Sequence, residues 1–216
     1  MFPGGRVGVV GEKSTKSARK AKGAGHLRRG EILHAAERIF VREGYHGATI
    51  RKIADEVGVS STALYMHFRD KSEILVEICE EAFAQLIAQN DEIGALPMEP
   101  VARVRRMLDA YMQFGLSNPN AYQLVFASPP GALSEEKRTA MNALGMRCFE
   151  RFAEAVAAVA KAGRLRGDVG VAAQVSWAAA HGLVSLLITQ PQFAWTETPE
   201  ALKQRMLDSV FEGLLA

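Results

Sequence analysis

Two short helical runs separated by a five-residue turn decide most of what this chain can become. Within Ala48–Leu75 the order ATIRKIADEVGVSSTALYMHFRDKSEIL repeats apolar residues at helical spacing twice, first as Ile50, Ile53, Ala54 and Val57, then as Leu64 and Phe68. Between them, Glu56-Val57-Gly58-Val59-Ser60 leaves room only for a tight turn, and Gly58 supplies the positive φ such a turn needs. Thr49 is placed to cap the first run, Ser60 or Ser61 the second, and Asp70 a further helix that starts at Lys71. Ala54 is small where the two helices touch, and Val59 can plug their junction.

With Leu64 and Phe68 turned inward, the second run presents Ser60, Ser61, Thr62, Ala63, Tyr65 and His67 outward, as a rod able to enter a major groove. Short hydroxyls and a methyl allow close approach to base edges. Tyr65 and His67 suit phosphate oxygens. Arg51 is long enough to reach a guanine or a phosphate, while Thr49 and Lys71 stand at helix N-termini, where free amides favour an anion. A second reading of Tyr65 and His67 stays open: an aromatic pair packed within the small domain.

Charge is unevenly placed along the chain. The overall net charge is only +2. Residues 1–29 nevertheless hold Arg6, Lys13, Lys16, Arg19, Lys20, Lys22, Arg28 and Arg29 against the single acid Glu12, whereas the chain beyond Lys71 is acidic. Such asymmetry suits a nucleic-acid partner at the N-terminal end. Residues 1–26, rich in Gly, Lys and Ser, are expected to be a disordered basic arm. Either this is a solvated tail, or Arg19, Lys20, Lys22, Arg28 and Arg29 supply phosphate contacts that the neutral module lacks.

The rest of the chain reads as helix after helix, and the fold class is all-α: a helix-turn-helix domain over residues 27–72 and a larger helical domain over residues 73–216. An opening helix, with Ile32, Ala35, Ala36, Ile39 and Phe40 on one face, stops at Gly44. Later helices are predicted from Lys71 to about Gln89, Val101 to Leu116, Ala121 to Ala127, Ser134 to Ala162, Asp168 to Gln190 and Glu200 to Leu215.

The turn and its flanks resemble the TetR family of transcriptional regulators. The match runs through Thr49, Ile53, Ala54, Val57, Gly58, Val59, Ser60, Leu64, Tyr65, His67, Phe68, Lys71 and Leu75, and the opening helix is also similar; together they cover roughly residues 28–80. The resemblance implies that Thr49, Tyr65, His67 and Lys71 contact phosphates, and that Arg51, Ser61, Thr62 and Ala63 face bases. It implies a repressor, a homodimer and a palindromic double-stranded DNA operator, with activation left open because binding alone does not fix the sign of regulation.

One recognition helix reads too few base pairs alone, so pairing of two chains is expected. The run Asp168–Gln190 is apolar nearly all round, and Leu202, Met206, Val210 and Leu214 form a stripe with Leu207 and Phe211 beside it. Two helices from each of two chains would bury these surfaces in a four-helix bundle. Burial within one chain is the other reading, and the TetR resemblance favours the bundle. Trp177, His181 and Gly182 resemble the Trp-His-Gly motif of one TetR subgroup. His181 either binds a ligand or satisfies a buried partner. A pocket for a small, largely apolar effector is expected between the middle helices, among Met107, Tyr111, Phe114, Tyr122, Phe126, Met141, Phe149, Trp177 and His181. Each of these, taken singly, also reads as core.

Other classes have little support in the sequence. There is no Gly-rich phosphate loop, no G-x-S-x-G elbow, no H-E-x-x-H and no Cys-x-x-Cys, so neither an enzyme nor a cofactor is expected. No metal site is expected either, since no His or Cys stands at ligand spacing from His181. The cysteines, Cys79 and Cys148, read as inert thiols of a reduced, cytoplasmic protein. No apolar run is expected to reach the length of a membrane span. A non-specific architectural DNA binder is the remaining rival, and it has no need of a large apolar domain.

Overall fold

The computed structural model describes residues 24–127 and 131–216. Among these, the chain forms nine α-helices: α1 (Ala24–Gly47), α2 (Ile50–Glu56), α3 (Ser61–Tyr65), α4 (Lys71–Ala95), α5 (Pro100–Ser117), α6 (Pro119–Ala127), α7 (Glu135–Lys161), α8 (Val169–Thr189) and α9 (Pro199–Leu214). The expected all-α architecture holds, with a helix-turn-helix unit followed by a larger helical domain. The arm expected over residues 1–26 lies outside the described residues except for its last three, which already belong to α1.

Local chemistry sets the helix ends. Gly44, at φ 72°, breaks regular geometry near the end of α1. Thr49, Ser60, Asp70, Ser134, Asp168 and Thr198 each accept a backbone N–H at the start of a helix. α4 continues to Ala95, beyond the end expected near Gln89, because Ile93 is buried and keeps the turn after the polar Asn90-Asp91-Glu92 in register. α6 starts at Pro119, not Ala121. Proline is well suited to a first helical turn, so only Asn118 stays outside, with its side chain donating to the Phe114 carbonyl at 3.0 Å.

A single apolar core runs the length of the molecule. Ile32, Ile39, Phe40, Ile53, Leu64 and Phe68 gather under the small bundle, α4 carries the core onward through Ile74, Leu75 and Ile78, and Leu108, Met112, Tyr122, Val184 and Leu207 continue it. α4 therefore belongs to both halves. α7 packs along α4, while α6 rests on α1.

α8 corrects one expectation from the sequence. Over 21 residues it is long and apolar enough to cross a membrane by length and composition, with a mean hydropathy of 1.5. Polar Gln174, Ser176 and His181 interrupt the run in sequence without lowering its mean enough. Only 28% of that window is buried within the chain. Val171, Val175 and Leu186 are exposed along one side, whereas Ala172, Ala173, Ala180 and Val184 face the core. On α9, Leu207 and Phe211 are buried, while Leu202, Met206, Val210 and Leu214 stay half-exposed. Beside them Lys203 is buried, its ammonium 3.2 Å from Asp109 on α5 and 2.9 Å from Glu200. Burial pulls its pKa down, but the two carboxylates outweigh that and hold it above the usual lysine value.

Candidate nucleic-acid interface and ligand site

The turn before α3 is closed by its own backbone. Gly58 takes φ 66°, its N–H donates to the Asp55 carbonyl at 3.2 Å, and the Val59 N–H reaches back to the Ala54 carbonyl at 2.9 Å. This pair of bonds ends α2 and turns the chain, and it needs the left-handed residue that glycine supplies. Ala54 is fully buried beneath the turn. Ser60 then caps α3, its Oγ accepting the Ala63 N–H at 3.1 Å. α3 buries Leu64 and, just past its end, Phe68.

That leaves the other side of α3 turned out. Thr62, Ala63 and Tyr65 are exposed, and Ser61 and His67 are half-exposed. Tyr65 is 56% exposed, so it is not packed as an inward aromatic pair. Arg51 on α2 stands in solvent, with only a long 3.9 Å approach to Asp55. Thr49 caps α2 through its Oγ1, which accepts the Lys52 N–H at 3.2 Å and keeps its own hydrogen free to donate. Sequence reasoning passed over Met66, which at 83% is the most exposed large apolar side chain among those described. Its place in L-Y-x-H-F carries no periodic signal, because it falls past the end of α3.

Three cations that the sequence offered as DNA contacts have partners within the chain. Lys71 donates to the carbonyls of Tyr45 at 2.6 Å and Ala48 at 3.0 Å, with His46 at 3.5 Å, and lies 4.4 Å from the Tyr45 ring centre. Its ammonium closes the C-terminal end of α1. Arg29 grips Glu77 with two nitrogens, donates to the His67 carbonyl at 2.9 Å and covers the Phe68 ring at 4.2 Å. It ties α1 to α4 and braces the end of the reading segment. Arg28 pairs with Glu31 at 3.2 Å. A free cation and a structural one look alike in sequence. Only the fold reveals that Glu77 and the end of α1 lie within reach.

The aromatic candidates divide into groups. Tyr111 on α5, Tyr122 and Phe126 on α6, Phe149 on α7, and Trp177 and His181 on α8 form one connected set of rings. Phe126 and Trp177 are partly exposed at its edge, 36% and 37%. Met107 and Phe114 lie elsewhere. Met107 faces an open cleft of about 360 Å³ between α4, α5 and α7, with Asn90, Arg103 and Arg151 in its wall. Phe114 faces a second cleft, about 260 Å³, between α1, α4 and the α5–α6 corner. Met141 is buried on α7, two turns before Phe149. Among the described residues, neither cleft is lined by more than one of the nine candidates.

Within the ring cluster sits a polar knot. The Tyr122 hydroxyl is 2.6 Å from His181 Nδ1, and the Tyr111 hydroxyl is 3.1 Å from both. Burial raises both phenols, Tyr111 well above its usual value and Tyr122 to about 12, so both keep their protons. Burial likewise lowers the His181 pKa and favours the neutral ring. The Tyr122 hydroxyl also lies 3.4 Å from the His181 carbonyl, so the two phenols and the imidazole form one hydrogen-bonded group. In the tautomer whose Nδ1 accepts the Tyr122 hydroxyl, the ring hydrogen sits on Nε2. Cys79 and Cys148 are pushed up to about 12 and about 11 by burial and stay as thiols.

Comparison with known proteins accounts for both halves. Residues 32–78 match the family model described as bacterial regulatory proteins, tetR family. Residues 104–210 match the model described as tetracyclin repressor-like, C-terminal domain. The narrower Trp-His-Gly subgroup remains a resemblance carried by Trp177, His181 and Gly182. The HTH-type transcriptional activator FasR of Mycolicibacterium smegmatis is 32% identical over 99 residues, 46% of this chain and 45% of FasR. The HTH-type transcriptional repressor KstR2 of Mycobacterium tuberculosis is 27% identical over 119 residues, 55% of this chain and 59% of KstR2. These alignments span less than two-thirds of either relative. The solved KstR2 structure superposes with a TM-score of 0.75 at 21% identity, over 88% of this chain and 95% of that one. FadR of Bacillus subtilis, solved in complex with stearoyl-CoA, gives 0.71 at 19% identity, over 85% and 98%. At these identities the two structures establish the fold alone.

Proposed function

Since this chain belongs to the TetR family of DNA-binding transcriptional regulators, we propose that it is a cytoplasmic, dimeric repressor released from a palindromic operator by a small, largely apolar effector. The observation that carries the reading is the outward face of α3, capped by Ser60 and braced from behind by Arg29 and Lys71. Ser61, Thr62 and Ala63 face base edges, with Arg51 reaching from α2. Thr49, Tyr65 and His67 hold phosphates. Lys71 positions this unit through the carbonyls at the end of α1.

The effector enters at the Phe126–Trp177 edge and parts the rings. Inside, the Nε2 hydrogen of His181 is the donor best placed to fix an oxygen acceptor, so a carbonyl on an otherwise apolar or aromatic skeleton fits best. Stearoyl-CoA, the ligand named for FadR, has an acyl carbonyl on a long apolar chain and belongs among the compounds to try first. Because α6 carries Tyr122 and Phe126 and rests on α1, separating α6 from α8 presses on the reading head. The effector therefore selects a conformer whose two α3 helices no longer fit successive grooves.

The test is a thermal-shift screen followed by titration into the DNA complex. A compound that raises the midpoint binds the folded state. It is expected to weaken DNA binding at least tenfold at saturation and to lose its effect in Trp177→Ala. Binders that leave DNA affinity unchanged would overturn release by ligand. The relative FasR, an activator, supports a second reading in which the bound protein raises transcription. A reporter gene downstream of the operator distinguishes the two signs.

A further inference from the structure

The start of α4 is the place where the larger domain touches the reading head through polar side chains. Asp70 caps α4 there, accepting the N–H groups of Ser72 at 2.7 Å and Glu73 at 2.9 Å, and the Ser72 hydroxyl at 2.6 Å. Those bonds, the Ser72 hydroxyl first, hold the Asp70 carboxyl below its usual pKa. From the other domain, Lys137 in the first turn of α7 donates to Ser72 Oγ at 2.7 Å. The chain Lys137–Ser72–Asp70 is thus continuous from α7 to the N-cap of α4. Asp70 stands two residues beyond Phe68, the buried anchor of the reading segment. The next residue, Lys71, clamps the end of α1. Lys137 therefore bears on a corner where α1, α3 and α4 are joined.

We propose that Lys137 is a positioning residue for DNA reading: through Ser72 and Asp70 it fixes the reading head against α7 in the orientation that binds the operator. It rests on the DNA-reading function proposed above. Its ammonium donates to Ser72 within the protein, and the salt dependence below separates that role from a direct phosphate contact. Without it the head samples more orientations, and apparent affinity falls with the fraction that remains competent.

A duplex selected by the wild-type protein from a random pool serves as the probe. Lys137→Met is expected to weaken binding about 3- to 10-fold, the size typical of coupling through a contact network. Lys137→Arg recovers part of that loss. Ser72→Ala weakens binding by a similar factor, and the double variant is no worse than either single one, as a shared contact requires. The dependence of log affinity on log salt keeps its slope. A slope reduced by about 0.9 would mean a direct phosphate contact and overturn the proposal. Unchanged affinity in Lys137→Met, or additive losses in the double variant, would overturn it too. So would an equal loss on an unrelated duplex together with a lowered thermal midpoint, which marks a merely structural role. Should the wild type select no duplex, the DNA-reading account itself fails; should it select one that Lys137→Met binds equally well, only the positioning role does.

Discussion

Val175→Glu is expected to leave a folded monomer that binds a palindromic operator at least about 100-fold more weakly than the wild type. The side chain is 50% exposed on α8 within one chain, so the substitution disturbs little of the protomer's own core. In the proposed dimer it meets the partner. α8 carries no charged residue between Val169 and Thr189, and only 28% of its apolar window is buried by its own chain. Val171, Val175 and Leu186 line that surface, and the half-exposed Leu202, Met206, Val210 and Leu214 extend it on α9. A carboxylate placed there, and its copy from the other chain, must be desolvated without a partner. In the dimer the second head binds at high effective concentration, and that gain disappears when the chains separate. Sedimentation gives the oligomeric state, and titration against full and half sites gives the affinities. Affinity for an isolated half site should not change. A variant that stays dimeric with wild-type affinity would place the interface elsewhere.

Gly115→Ala is expected to destabilise the protein by at least about 2 kcal/mol, lowering the midpoint by about 5 °C or more. Gly115 lies inside α5, where alanine ordinarily favours a helix. Here a Cβ would stand 2.6 Å from Val184 Cγ1 and 2.8 Å from Tyr122 Cδ2. Val184 is fully buried and Tyr122 is 2% exposed, so neither can swing into solvent. The overlap must push α5, α6 and α8 apart. Since Tyr122 also holds His181, effector binding should suffer with stability. Gly94→Ala is the control, because its nearest neighbour is the flexible Met107 Cε at 3.9 Å; it is expected to be neutral or slightly stabilising. A Gly115→Ala midpoint equal to the wild type would contradict the close packing of these three helices.

Gly115 illustrates where sequence reasoning ends. Caps, turns and apolar periodicity are local signals, and these marked the helix-turn-helix, the caps at Thr49, Asp70 and Asp168, and the turn at Gly58. The outward face of α3 followed from the same signals, since burial of Leu64 and Phe68 leaves only one side free. Features that depend on distant partners were not legible. Arg29 and Lys71 look like DNA-facing cations until Glu77 and the carbonyls of Tyr45 and Ala48 are brought beside them. Of the nine aromatic and methionine candidates, six meet because four helices converge, while Met107 and Phe114 point into separate clefts. The Tyr111–Tyr122–His181 knot joins residues up to 70 positions apart, and no spacing rule reveals it. The same holds for Lys137, one basic residue among several near the start of α7.

The reading of DNA by a paired α3 is tested most directly by selecting duplexes from a random pool with the full-length protein and mapping the protected bases. Two inverted half sites should emerge, their centres about one helical turn or a multiple of it apart, with protection lost in a variant carrying Thr62→Ala and Tyr65→Ala. Enrichment of no sequence, or of a single unrepeated site bound equally well by that variant, would contradict it.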